Sequence, residues 1–94
     1  MIDVGYFRFP TVSELDRWWE RRLPGLPVQA GSGGCLDGTP GETRTSRGSI
    51  ACYVTDGVAR IRWTDEDRLV YGALNGRTTD LARLFAWWQA RHEG

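Results

Sequence analysis

The segment Ile50–Trp63 constrains the fold more than any other part of the chain, because it has the signature of a β-hairpin. At its centre, Asp56-Gly57 is a dipeptide typical of a type I′ turn, which needs positive φ at both central positions. This turn fixes a register whose apolar cross-strand pairs are Val54/Ala59, Cys52/Ile61 and Ile50/Trp63. One face of the hairpin is therefore predicted to pack against a core.

The intervening positions give the hairpin a second face with a different character. This face carries Tyr53, Arg60 and Arg62, and Arg8 is a further candidate for it. A shift of register by one residue would bury the arginines, so the pairing is well specified. We predict that this face is partly polar and solvated, and that it is the place to look for a partner.

A third strand is predicted after the acidic turn at residues 65–67. With Leu69 beside Trp63, this strand would add Leu69, Tyr71 and Ala73 to the apolar face. Val70, Gly72 and Leu74 would then lie on the arginine face.

Two helices and a further strand are predicted outside the hairpin. Residues 4–9 form an aromatic strand, and Thr11 with Glu14 is a capping box that begins a helix ended by Pro24. Thr78, Thr79 or Asp80 caps a second helix. The apolar residues at helical spacing are Leu15, Trp18, Trp19 and Leu23 in the first helix, and Leu81, Leu84, Phe85 and Trp88 in the second.

Residues 24–49, between the first helix and the hairpin, contain three prolines and seven glycines and are predicted to be an irregular loop. The predicted fold is α+β, in the order β-α-long loop-β-β-β-α. It has an antiparallel sheet of three to four strands, with the two helices packed on one face. The first strand is expected at a sheet edge, next to the strand at 69–74, in an orientation that the sequence leaves open.

Composition limits the classes of protein to consider. Residues 1–94 are enough for one small domain, and 12 basic residues balance 12 acidic ones. This balance argues against nucleic-acid binding by bulk charge. The sequence has no apolar run long enough to span a membrane and no signal-peptide pattern, so we expect no membrane insertion by this segment. The chain is expected to be either cytoplasmic or a segment of a longer protein.

Cys35 and Cys52 are the two cysteines, and they leave two alternatives. A bridge would close a loop of about 17 residues and fasten the irregular segment to the sheet. Alternatively, both thiols are free, as is common for buried cysteines in cytosolic proteins. With a single histidine, His92, the spacing does not suggest a metal site.

Catalysis is not predicted, because no motif places a nucleophile beside the one histidine. An enzyme would need a pocket that joins His92 to an acidic side chain. We predict no enzymatic activity and no cofactor. The candidate partner surface is Tyr53, Arg60 and Arg62, together with Trp87 on the flank of the second helix.

Short motifs give the chain a resemblance to a known family. Cys52-Tyr53, Trp63-Thr64-Asp65 and the run that ends in Trp87-Trp88 are similar to a small C-terminal domain of actinobacterial eukaryotic-like serine/threonine protein kinases. The N-terminal Phe-Pro-Thr followed by a helix, and the earlier cysteine, resemble the same module. In that family the domain follows a membrane-spanning helix and lies outside the cell. The resemblance implies a non-catalytic extracytoplasmic module and a disulfide between Cys35 and Cys52.

The predicted function is therefore a binding or sensory accessory module, as a domain of a larger membrane-anchored signalling protein. Its partner is a protein, a peptide or a small ligand of unknown identity. The alternative is a stand-alone intracellular protein–protein interaction or regulatory subunit.

Overall fold

The computed structural model describes residues 3–35 and 37–92 of the chain. Five strands form one antiparallel sheet in the order β1-β5-β4-β3-β2. The strands are β1 (Asp3–Arg8), β2 (Gly41–Thr45), β3 (Gly48–Thr55), β4 (Val58–Asp65) and β5 (Val70–Asn75). The helices are α1 (Val12–Arg22) and α2 (Leu81–His92), and a single 3-10 turn, Leu23–Gly25, follows α1. The predicted α+β class is confirmed.

The hairpin of β3 and β4 has the predicted register at every position from Ile50↔Trp63 to Thr55↔Val58. Asp56 has φ of 53° and Gly57 has φ of 72°, as a type I′ turn requires. The helix caps also agree with the sequence. The Thr11 side chain accepts from the Glu14 N–H at 3.2 Å, and the Asp80 side chain accepts from the Arg83 N–H at 3.1 Å.

The prediction of three to four strands was wrong, because the sheet has five. The additional strand, β2, lies inside the predicted irregular loop and pairs with β3 from Gly41↔Cys52 to Thr45↔Gly48. Its sequence, GETRT, is polar and short, so it has no apolar alternation that would reveal a strand. At the opposite edge β1 lies beside β5, as the first strand was expected to do, and the pairing, whose orientation was left open, is antiparallel.

The two helices pack on opposite faces of the sheet, not on one face as predicted. α2 packs on the face that contains Ile50, Cys52, Ile61, Trp63 and Leu74. α1 packs on the other face through Leu15 and Trp19, which contact a cluster formed with Ala51, Tyr53 and Tyr71. Both faces are apolar enough to be covered, so the sheet is the middle of three layers.

The predicted register of the third strand was also wrong. Trp63 is opposite Gly72 and Ile61 is opposite Leu74, so Leu74 lies on the α2 face and Tyr71 on the α1 face. The β4–β5 connection is longer than predicted, because β5 begins at Val70 and Leu69 still belongs to the turn, with φ of 57°. Neither described helix is long and apolar enough to cross a membrane.

Candidate functional site: a cleft between the first strand and the second helix

The candidate site arises from the way α2 crosses the sheet. α2 contacts β3 and β4, whereas β1 contacts β5. The part of the α2 face that lies over β1 and β5 is therefore left open beside the C-terminal end of α2. A cleft of about 460 Å³ lies there, within the size range of small-molecule sites. Its lining residues are Tyr6, Arg8, Trp63, Asp65, Arg68, Val70 and His92.

His92 closes one side of the cleft, and its ring is held by two hydrogen bonds. Its Nδ1 lies 3.1 Å from the carbonyl oxygen of Trp88, and its Nε2 lies 3.0 Å from the Tyr6 hydroxyl. Because a carbonyl oxygen can only accept, Nδ1 carries the proton. In the neutral ring Nε2 then accepts from the Tyr6 hydroxyl, so His92 connects α2 to β1.

Trp63 forms the floor of the cleft. Its indole lies against Tyr6, with ring centroids 6.0 Å apart, and against His92, with centroids 4.8 Å apart. Gly72 lies directly beneath it, and a Cβ at this position would overlap the Trp63 ring. Trp63 is therefore closely packed and only 3% exposed, whereas Tyr6 is 56% exposed and accessible to a ligand.

Asp65 supplies the one carboxylate of the cleft, and it is already well satisfied. Its Oδ1 accepts from the backbone N–H groups of Asp67 and Arg68, at 3.0 and 3.2 Å. Its Oδ2 lies 3.9 Å from Arg68 Nε and 4.0 Å from Arg47 Nη1. Asp65 thus folds the β4–β5 turn and positions Arg68, whose own side chain is 71% exposed.

Arg8 is the cation that this network does not use. It is exposed at the end of β1, and it forms no ion pair with any other residue in the described ranges. Among the described residues that line the cleft there are two arginines, Arg8 and Arg68, and one carboxylate, that of Asp65, which is paired with Arg68. The cleft is electropositive at its β1 rim, and it can bind a negatively charged group there.

The four residues of the predicted partner surface lie outside the cleft, and they do not form one continuous surface. Tyr53 is 5% exposed and Arg62 is 9% exposed, so the expectation of a solvated face is wrong for both residues. They lie on the side of the sheet that α1 covers. Burial raises the pKa of the Tyr53 hydroxyl above its usual value. Arg60 is half-buried, and Arg8 projects from the opposite side of the sheet, into the cleft.

The buried guanidinium of Arg62 is satisfied without a carboxylate. It donates to the carbonyl oxygen of Leu74 at 3.2 Å and to Asn75 Oδ1 at 3.0 Å. Arg60 donates to the same Asn75 oxygen at 2.9 Å. These contacts tie β4 to β5, and they occupy both Nη1 hydrogens and one Nη2 hydrogen of Arg62 within the sheet.

Trp87 lies on α2 and is far from the other three predicted residues in the fold, because α2 is on the opposite side of the sheet. The guanidinium of Arg91 lies 3.9 Å from the centroid of the Trp87 ring and covers one face of the indole. Trp87 is half-buried against the core. The structure therefore does not bring Trp87 together with Tyr53, Arg60 or Arg62.

The cysteines are bonded to each other, which confirms the predicted disulfide and resolves the two alternatives. The Cα atoms of Cys35 and Cys52 are 5.4 Å apart, and both side chains are fully buried. The bond fixes the loop before β2 to the face that α2 covers, where Gly38 lies close to Ala82 of the helix. Cys35 and Cys52 are not in the lining of the cleft, so their role there is structural.

Sequence reasoning missed most of the cleft. Tyr6 and His92 are 86 positions apart, and no local pattern joins them. The signal that was available is the alternation of Tyr6 and Arg8 on a strand that also carries exposed Val4. Within residues 3–35 and 37–92, no three His, Cys, Asp or Glu side chains come together as a metal site.

Comparison with known proteins gives the chain no relatives. No family model, no curated protein and no solved structure matches it.

Proposed function

We propose that the chain is a non-catalytic binding module and that its binding site is the cleft between β1 and the end of α2. The observation that carries this proposal is Arg8, an exposed cation with no ion pair among the described residues, at the rim of a cleft of ligand size. The ligand places a carboxylate or phosphate against Arg8 and Arg68. Its apolar part lies against Tyr6 and Val70.

The contacts of the titratable groups favour binding over proton transfer. The cleft does join His92 to a carboxylate, that of Asp65, which is the arrangement that an enzyme would need. However, both ring nitrogens of His92 are hydrogen-bonded elsewhere, and Asp65 accepts from backbone N–H groups of its own turn. His92 is thus held by its own partners, and Asp65 is held in its own turn, so we assign both to positioning the walls of the cleft.

We further propose that the module belongs to a larger membrane-anchored signalling protein and works outside the cytoplasm. The resemblance to kinase-associated C-terminal domains motivates this context, and the disulfide between Cys35 and Cys52 supports an oxidising compartment. The alternative remains a stand-alone intracellular interaction or regulatory subunit. The extracytoplasmic and intracellular contexts are distinguished by alkylation of thiols in protein recovered from its native cells without reductant. Two labelled cysteines would contradict the extracytoplasmic context.

Binding in the cleft is tested with two small probes, benzoate and phenyl phosphate, in a titration of ¹⁵N-labelled protein. We expect chemical-shift changes at Tyr6, Arg8 and Arg68. Replacement of Arg8 by Ala should weaken binding about tenfold, because a charge-assisted contact is lost. Arg21→Ala, an exposed arginine on α1 at the opposite face, is the matched control and should leave the affinity unchanged. Equal losses for the two variants, or shifts confined to other surfaces, would exclude the cleft as the site.

A further inference from the structure

The outer edge of β1 is an unused hydrogen-bonding edge. β1 pairs with β5 on one side, and the Phe9 N–H donates to the Leu69 carbonyl at 2.8 Å in continuation of this ladder. In an antiparallel pair, such hydrogen-bonded positions alternate with positions that point the other way. The N–H and C=O groups of Val4, Tyr6 and Arg8 therefore point away from β5. No other described residue pairs with them.

The two edges of the sheet are treated differently. At the β2 edge, the Glu42 carbonyl accepts from the Gly33 N–H at 2.9 Å, and the Glu42 N–H donates to Ser32 Oγ at 3.2 Å. β2 is also short and polar, and these two properties commonly protect an edge strand from pairing with other chains. None of the residues that the structure describes covers the β1 edge in this way, and its large apolar side chains are exposed: Val4 at 37%, Tyr6 at 56% and Phe7 at 57%.

We propose that the β1 edge binds an extended segment of a partner protein as a sixth strand of the sheet. The segment carries apolar residues and an acidic side chain that lies opposite Arg8. This inference rests on the proposed function, because Tyr6 and Arg8 belong to the cleft. Val4, Tyr6 and Arg8 alternate with the β1 residues that are hydrogen-bonded to β5. Their backbone groups point outward, and their side chains lie on the face of the sheet that contains the cleft.

Charge decides between a partner protein and a second copy of the chain. In a two-fold antiparallel pairing, opposite residues share a face, so Val4, Tyr6 and Arg8 can only face one another. Centred on Tyr6, the pairing places Val4 opposite Arg8; centred on Gly5, it places Val4 opposite Tyr6; centred on Phe7, it places Tyr6 opposite Arg8. None of these arrangements puts a carboxylate opposite Arg8. A heterologous strand with an acidic residue is therefore the better complement.

The test uses two fluorescein-labelled heptapeptides of alternating valine and threonine, one with a central glutamate and one with glutamine in its place. Binding to the full chain is measured by fluorescence anisotropy. Val4→Pro removes an outward N–H but leaves every cleft residue in place, and proline is tolerated on a free strand edge. Val4→Thr keeps the N–H and is the matched control. We expect Val4→Pro to weaken binding of the glutamate peptide about tenfold or more and Val4→Thr to change it less than about threefold.

The acidic residue is tested by a double comparison. The glutamate peptide should bind the wild type about tenfold more tightly than the glutamine peptide, and this difference should disappear in Arg8→Ala. If Val4→Pro binds both peptides as the wild type does, the edge proposal is overturned, whereas benzoate binding in the same variant reports separately on the cleft. If the wild type sediments as a dimer, Val4→Pro as a monomer, and neither binds peptide, the occupant is a second copy and the partner proposal is wrong.

Hydrogen exchange provides a measurement that does not depend on the folding of a variant. Saturation of the wild type with the glutamate peptide should slow exchange at the amides of Val4, Tyr6 and Arg8 by about tenfold or more, because these groups become paired. Unchanged exchange at all three amides in the presence of bound peptide would exclude strand addition at this edge.

Discussion

Reduction of the disulfide should destabilise the chain without changing its fold. Cys35 lies in the loop before β2, and Cys52 lies on β3 in the centre of the core, where both side chains are fully buried. Their sequence separation of 17 gives the size of the loop that the bond closes. In the chain-entropy treatment, a loop of this size corresponds to about 3 kcal/mol of stability at 25 °C. A single domain has roughly 5–15 kcal/mol in total, so this loss is a large fraction.

The assay compares guanidinium and thermal unfolding of the oxidised and the reduced protein, both monitored by far-UV circular dichroism. The reduced protein should lose about 3 kcal/mol of unfolding free energy, and its Tm should fall by roughly 12–24 °C for a domain of this size. The double variant Cys35→Ala/Cys52→Ala is the control, because reductant should not change its unfolding curve. A reduced wild type that retains its stability to within about 0.5 kcal/mol would refute the idea that the bond restrains the loop.

Three further changes test the core and the charge network. Trp63→Ala should cost about 3–5 kcal/mol in chemical denaturation, because it empties the floor of the cleft; a cost below about 1 kcal/mol would contradict its burial. Glu42→Gln should cost about 1–3 kcal/mol in the same assay, since Trp19 Nε1 and the Gly31 N–H donate to different oxygens of Glu42, and glutamine replaces one of these oxygens with an NH2 group that cannot accept. A hydrogen bond with Asp16 raises the pKa of Glu66 above its ordinary value of 4.5. The stability that this hydrogen bond contributes is therefore present at acid pH and is lost as the pH rises through the folded-state pKa of Glu66. Asp16→Asn should therefore raise Tm near about pH 7 and give no gain near about pH 3, and a gain of equal size at both would contradict the pairing.

The hairpin could be predicted because its signals are local. Asp56 and Gly57 accept positive φ, and the alternation of the flanking residues then leaves one register. The next register could not be predicted in this way. The β4–β5 turn is closed by Leu69 at φ of 57°, a conformation that a leucine side chain rarely adopts, and by N–H groups that donate to the Asp65 side chain. The acidic residues indicated a turn, but no local pattern indicated its length.

The side of the sheet that α1 covers shows a second limit. Tyr53, Arg60 and Arg62 resemble a solvated face by alternation, yet Arg62 is 9% exposed. An arginine can be buried when carbonyl and amide oxygens satisfy its donors, and here Leu74 and Asn75 of the neighbouring strand do so. These partners come from β5, so they could be identified only with the correct register of that strand. Because the register of the third strand was predicted wrongly, the partners that allow Arg62 to be buried could not be identified.

The same packing choice accounts for both the open cleft and the open edge. Because α2 crosses β3 and β4 and ends at His92, β1 is held in the sheet by its pairing with β5, by the hydrogen bond between Tyr6 and His92 and by the contact of Tyr6 with Trp63. Among the described residues β1 pairs on one side alone, so we expect it to open more readily than the central strands. On the two proposals, a ligand in the cleft would contact Tyr6 and Arg8, and a strand at the edge would pair with their backbone, so either one would add contacts to β1. Binding at this position would then be coupled to the order of β1.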